Sequence, residues 1–298
     1  MRVRILFKTT LTLVLTGAIT ALVLTVGCKD NNLEDRGNKM SELNQTKIQL
    51  LNIFLGLQAF RNEFGDYPPS DNDDGDYCGA QKLAEALVGY DLYGYHPKSK
   101  FKSDGTWDAG QDGRYDKDDV INVRERKGSY VDLKDDRMFT YTDVENKESS
   151  IKLTKANAVL LKNIFVNTGL LNGETYVLCD VFAKKNPVYG GKVGMPILYF
   201  RADHSSLSKA KANRTYDFKD NEALIDCGVP WDNLKAHELD SKRFYSFEYV
   251  GERRQVLPSQ FLLISAGPDG LYGTDDDIIW RSNQQFKVEK GEVVIPPR

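Results

Sequence analysis

The chain is poor in the residues that usually build an active site. It has 3 histidines, His96, His204 and His237, and their scatter gives no zinc-ligand spacing. No Gly-x-Ser-x-Gly elbow is present, and no glycine loop of the strand–loop–helix kind that cradles phosphate. Adjacent acids such as Asp135-Asp136 occur, but any acidic exported chain offers such pairs. Catalysis is therefore not expected. Charge of one sign is also missing. A net charge of −3 over 298 residues gives no basic face for nucleic acid, so no nucleic-acid partner is expected. What remains is a composition of 41% hydrophobic and 11% aromatic residues, with 15 Tyr and 14 Phe beside 24 Gly, enough for a core of strands and elaborate loops.

The N-terminus carries the one long apolar run. Arg2, Arg4 and Lys8 precede an uncharged stretch from Thr9 to Gly27, at the short end of what spans a bilayer. The basic flank predicts that the N-terminus stays in the cytoplasm while the rest is exported. The run ends in Val26-Gly27-Cys28 and then turns charged at Lys29-Asp30, a border that resembles a bacterial lipobox with Thr25 off pattern. Two readings stand: residues 1–27 are a signal peptide and Cys28 is lipidated, or they are an uncleaved membrane anchor. Either places the globular part in the cell envelope, outside the cytoplasm. Residues 28–41 read as a tether, and 42–298 as the globular domain.

Ser41 is a plausible N-cap for a helix ending at Phe64, with Gly65 as its stop. Leu50, Ile53, Leu57, Phe60 and Phe64 recur at alternating spacings of three and four, an apolar stripe suited to lie on a sheet. Tyr67-Pro68-Pro69 enforces extended chain, an acidic loop spans 70–77, and a short helix is expected from Ala80 to Val88. From Ser129 to Leu133 the chain reads as strand. Tyr176–Ala183 and Met195–Ala202 look like neighbouring core strands around a Gly-Gly turn. A short helix is expected near Asn221–Ile225, strands at Gln260–Ser265 and Asp277–Trp280, and a last hairpin from Phe286–Val288 to Val293–Ile295. The fold class is α+β, a long N-terminal helix packed on a mostly antiparallel sheet. Of the 4 cysteines, Cys179 sits in a strand pattern, while Cys78 and Cys227 lie in polar loop contexts where export permits a disulfide.

The strand ending at Ser265 opens into Ala-Gly-Pro-Asp-Gly-Leu-Tyr-Gly-Thr-Asp-Asp-Asp, which crowds Asp269, Asp275, Asp276 and Asp277 into a turn rich in glycine. Carboxylates that close repel unless a cation sits among them. Ca2+ suits the site, since it accepts six to eight hard oxygen ligands, including carbonyls such as those of Ser265 and Leu271. The competing reading is a solvated acidic hairpin. Residues Ala109 to Asp119 echo this loop, and a relaxed calcium spacing places ligands at Asp108, Asp112, Asp116 and Asp119. That stretch is either a second metal loop or an acidic surface loop.

The loop from Ser265 to Ile278 resembles the calcium loop of G-type pseudopilins of type II secretion systems. Leu57-Gln-Ala-Phe-Arg-Asn-Glu-Phe-Gly-Asp-Tyr-Pro-Pro69 is similar to the end of the long pseudopilin helix, and Gly79 to Gly89 to the short helix after it. The resemblance covers 45–90 and 258–280 and implies a larger, pseudopilin-like branch with a structural, secretion-linked role and secretion-system subunits as partners. The apolar N-terminal run has no acidic residue and no Gly-Phe junction, where the family carries a glutamate at the fifth position of its helix. The alternative is a lipoprotein binding module that uses the same scaffold to recognise a polymer or protein partner.

Overall fold

Apolar side chains at three- and four-residue spacing force one face of a helix inward, and the computed structural model shows the result. Helix α1 runs Asn31–Phe64, with Leu50, Ile53, Leu57 and Phe60 buried along one side. It ends where expected: Gly65 has φ 86° and its N–H donates to the Arg61 carbonyl at 2.7 Å. Its start differs. Residues 31–41, expected as a tether capped off at Ser41, are already helical. Leu33, Glu34, Arg36, Lys39 and Met40 are good helix formers and no proline intervenes, which outweighs Asp35, Gly37 and Asn38.

The described residues are 31–107, 113–131, 140–141, 151–152, 158–160, 170–182, 184–185, 192–202, 216–225, 260–289 and 292–294. The chain divides into two units, Met1–Ser41 and Glu42–Arg298. Within the second, α2 (Gly79–Val88) and α3 (Val120–Glu125) follow α1. Four strand pairs, all antiparallel, are β1 (Thr140–Tyr141) with β2 (Ile151–Lys152), β3 (Ala158–Leu160) with β4 (Tyr176–Leu178), β5 (Lys184–Lys185) with β6 (Lys192–Val193), and the closing hairpin β10 (Lys287–Glu289) with β11 (Glu292–Val294). The central sheet is β7 (Leu198–Arg201), β8 (Phe261–Ser265) and β9 (Ile278–Arg281), antiparallel throughout, in that order. A 3-10 turn, Phe218–Asp220, leads into α4 (Glu222–Ile225). The fold is α+β with a small antiparallel sheet.

Side chains on a strand alternate faces, and this sheet uses both. Tyr199, Phe261, Leu263 and Trp280 belong to one apolar cluster with Leu50, Ile53 and Leu57 of α1 and Leu83 and Leu87 of α2. Leu198, Phe200, Leu262 and Ile264 join a second cluster with Tyr272, Leu224 and Ile225. Buried on both faces, β8 must read as an unbroken apolar run, as Phe261-Leu-Leu-Ile264 does. Burying each such side chain contributes about 1.5–3 kcal/mol. Phe54 adds ring contacts to Phe261 and Trp280, both at 6.1 Å.

Two expectations change in detail. Among the described residues, the segments 176–183 and 195–202 meet through the bridge Cys179↔Pro196, the bonds from Ile197 N–H to Leu178 O and Asp180 N–H to Met195 O, and the bond from Met195 N–H to Asp180 Oδ1. Their ladder partners are β3 for β4 and β8 for β7. Residues 129–131 are not strand, and α3 appears where no helix was expected. Cys78 is not in a polar loop. It is a free, fully buried thiol at the N-cap of α2, and burial pushes it up to about 12. The expected partner, Cys227, lies outside the described residues, as do Cys28 and the apolar run before it. Among the described residues no helix is long and apolar enough to cross a membrane.

Candidate metal centre

The sheet fixes both ends of the acidic loop. Ser265 and Ile278 are register partners, so residues 266–277 leave and re-enter the sheet at one point. At the entry the Ser265 hydroxyl donates to Asp180 Oδ2 at 2.7 Å and accepts from the Gly267 N–H at 3.3 Å. Asp180, itself buried, also accepts from the N–H groups of Phe182 and Met195 at 3.2 and 3.1 Å. At the apex the buried Tyr272 ring sits in the core cluster and its hydroxyl donates to the Pro196 carbonyl. Gly267, with φ 64°, is also a close approach: a Cβ there would lie 2.2 Å from the Asp276 carbonyl oxygen.

Within this frame the aspartates are unequal. Asp276 Oδ2 accepts from the Asp269 N–H at 2.9 Å, and its Oδ1 accepts from the Thr274 hydroxyl. Asp269 Oδ1 accepts from Leu271 N–H at 2.8 Å, and Asp277 Oδ2 from Gly273 N–H at 2.7 Å. Asp277 Oδ1 is buried, whereas Asp275 is exposed. The Leu271 carbonyl accepts from Thr274 Oγ1 at 3.3 Å. Asp269 is held above the usual carboxylate range, first by burial and also by the like charge of Asp276, against the lowering effect of its own hydrogen bonds. Asp269, Asp276 and Asp277 thus accept from the loop's own amides, whereas the Asp275 side chain of the same loop is exposed.

All available donors are oxygens, which suits a hard cation such as Ca2+ and excludes a soft thiolate-type site. Among the described residues no three acidic, histidine or cysteine side chains are arranged to hold a metal ion. An ion bound here would take carboxylate oxygens that now accept from the loop's own amides, together with carbonyls. The loop fits calcium in donor chemistry, with those amide bonds as the competing interaction.

The echo at 108–119 has a different local use. Asp108 and Asp112 lie outside the described residues. Asp119, aligned as the last ligand, is the N-cap of α3 and accepts from the N–H groups of Ile121 and Asn122 at 2.8 and 3.2 Å. Asp116 accepts from Asp118 N–H at 2.9 Å and is exposed. An aspartate before a helix satisfies orphan amides, and spacing alone does not separate that role from a ligand's.

Two polar centres escaped the reading of the sequence. One is Asp180. The other is Glu85 on α2, fully enclosed in a helix whose every residue is buried. The signal for Glu85 was a lone acid between Ala84 and Ala86 in an otherwise apolar run. His96 is also internal, its ring stacked on Trp107 at 3.9 Å and 8°, with Nε2 3.3 Å from Glu125 and Nδ1 accepting from Lys98 N–H at 3.2 Å. Burial, then Arg126, lowers its pKa, in keeping with a neutral structural imidazole. Comparison with family models, with curated proteins and with solved structures finds no match to the chain.

Proposed function

We propose that this chain is an envelope-anchored structural protein of pseudopilin-like design, linked to type II secretion and stabilised by Ca2+ at the loop 265–277. In this reading the long helix lies on the antiparallel sheet, the loop closes one end of that sheet, and catalysis plays no part. The segment 1–28 supplies the anchor, as a lipidated Cys28 or an uncleaved helix. The observation that carries the proposal is the pairing of Asp269 with Asp276 at the mouth of β8 and β9, where a bound cation would relieve the repulsion between two part-buried carboxylates. A ligand that binds only the folded state adds RT ln(1 + [L]/Kd) to its stability.

The test is thermal unfolding of the 42–298 unit in saturating Ca2+, in Mg2+ and in chelator. The expected result is a higher melting temperature in Ca2+ with little rescue by Mg2+, which demands a tighter octahedral shell. Equal melting temperatures in Ca2+ and chelator would remove calcium from the reading.

A second reading, a lipoprotein module that recognises a polymer or protein, has one observation in its favour. A cleft of about 230 Å³ opens between the 71–77 turn and residues 101–104. The intact mass of the mature protein tests the anchoring on which that reading depends, because acylation at Cys28, peptidase cleavage and an uncleaved anchor give different masses.

A further inference from the structure

Glu85 is where two separate segments are fastened to α2. The Tyr77 hydroxyl, from the acidic turn, donates to Oε2 at 2.8 Å. The Tyr115 hydroxyl donates to Oε1 at 2.9 Å, and Ser99 Oγ donates to the same oxygen. Ser99 and Tyr115 belong to the excursion that closes at the Tyr95–Lys127 bridge, whose paired N–H groups and carbonyls meet at 2.8 Å in both directions. Backbone amides commit both hydroxyls: Phe101 N–H donates to Ser99 Oγ at 3.0 Å and His96 N–H to the Tyr115 oxygen at 2.9 Å. Their own protons are thereby left to point at Glu85.

The groups facing this carboxyl are Tyr77, Tyr90, Tyr95, Tyr115 and Lys82. The Lys82 ammonium is engaged with Asp71, donating to its carbonyl and, at 2.9 Å, to its carboxylate. Among the described residues no cation forms an ion pair with Glu85. An ionised Glu85 therefore depends on the hydroxyl dipoles and on the charge of Lys82, already engaged elsewhere, in a buried site.

We propose that Glu85 is a proton-linked fastening point, which holds the 71–77 turn and the Ser99–Tyr115 excursion together as the two walls of the cleft and loosens them as it ionises. The geometry accommodates the neutral acid with one rearrangement. A proton on Oε2 donates to the Tyr77 oxygen, and Tyr77 turns its own O–H toward the cleft it lines. Ser99 and Tyr115 stay on Oε1. Ionisation removes that proton and leaves a buried charge. Burial raises the carboxyl above its ordinary value, against the lowering effect of the three hydroxyls and of the Lys82 charge. The closed arrangement is thus fully favoured below the ordinary glutamate value, about 4.3, and is weakened as pH rises through the raised one.

Two measurements on the full chain test this. The first is NMR titration of the side-chain carboxyl of Glu85 in the unmutated protein, where a midpoint above the ordinary glutamate value is expected. A midpoint at or below it overturns the proposal. The second is hydrogen exchange at the His96 and Phe101 amides, read as a ratio to Glu85→Gln at each pH. That ratio should show protection falling with rising pH, and Ser99→Ala, which removes one donor to the anion, should shift the Glu85 midpoint further upward. A ratio that stays constant with pH, or an unshifted midpoint in Ser99→Ala, overturns it.

Discussion

In the loop at 266–277 the carboxylates are held by the loop itself, whereas between 71 and 77 they reach across to other elements. Asp276, Asp269 and Asp277 accept from the amides of residues 269, 271 and 273. Asp71 instead binds the Lys82 ammonium, and Asp76 accepts from the Ser103 hydroxyl while its carbonyl accepts from Asn172 N–H. The two turns are similarly acidic, so charge density does not distinguish them. The difference is what must be surrendered on binding an ion. The self-contained loop can exchange amide donors for a cation and leave its neighbours in place, while the same exchange at 71–77 undocks α2 and the 103 region. A cation site is therefore better sought where acids are locally satisfied than where they brace the fold.

The largest expected effect tests the platform that both turns share. Leu57 is fully buried on the inner side of α1, and Leu57→Ala should cost about 2–5 kcal/mol in denaturant unfolding, loosening both turns alike. A change inside about 0.5 kcal/mol, the range of ordinary surface sites, would mean that the stripe faces something outside the chain.

Next comes the mooring of one turn only. Asp180→Ala leaves the Ser265 hydroxyl and the Phe182 and Met195 amides without their acceptor, at a cost of about 1–3 kcal/mol. Hydrogen exchange should rise across 266–277 and not across 71–77. Equal loosening of both turns would break the comparison.

Within the C-terminal loop, Asp276→Ala in chelator should cost about 0.5–1.5 kcal/mol through two lost hydrogen bonds. Asp275→Ala should stay within about 0.5 kcal/mol, since that side chain is exposed. Thermal or urea unfolding of the pair decides whether the inward and outward aspartates differ as described.

A pH slope on the other side completes the comparison. Asp220 receives the Ser70 hydroxyl at the root of the 71–77 turn, and burial pushes its carboxyl up to about 7, aided by Asp217 and Asp71 and opposed by the Ser70 bond. Because the folded value is raised, the favourable contribution of the neutral acid is complete below the ordinary value, about 3.9, and is lost as pH rises to about 7. Stability measured across that window should decline less steeply in Asp220→Asn than in the parent. Parallel slopes would show that Asp220 ionises without penalty.

The elements with a strong period were legible in the sequence. The stripe from Leu50 to Phe60 announces α1, the apolar run at 261–264 announces a strand buried on both faces, and Gly79–Val88 falls within a residue of the helix expected there. Polar partnerships were not legible, because they join residues far apart in sequence and no period records them. Ser265 meets Asp180, Ser70 meets Asp220, and Gln49 donates to the Cys179 carbonyl at 2.7 Å. In the candidate site, spacing marked the acidic loop and its glycines. It could not separate Asp275 from Asp276, since a carboxylate that accepts from its own loop and one that faces water share the same letter. Asp119 caps α3, and spacing alone does not separate that use from a ligand's.

Helix α2 begins with a contact that says something about the order of assembly. Its Ala80 N–H is received by Asn221 Oδ1 at 2.8 Å, from 141 residues away, and Asn221 Nδ2 donates to the Tyr199 carbonyl at 2.7 Å. Gly79 sits so near that carbonyl that a Cβ would stand 2.3 Å from it. The first turn of α2 is thus completed by chain made much later than the helix itself. During synthesis from the N-terminus, α1 and α2 emerge before their cap exists, and the entropy of closing so long a loop must be met before the cap can form. Long-range pairings of this kind raise the contact order of the fold, which slows folding because closure entropy is met before the contact rewards it.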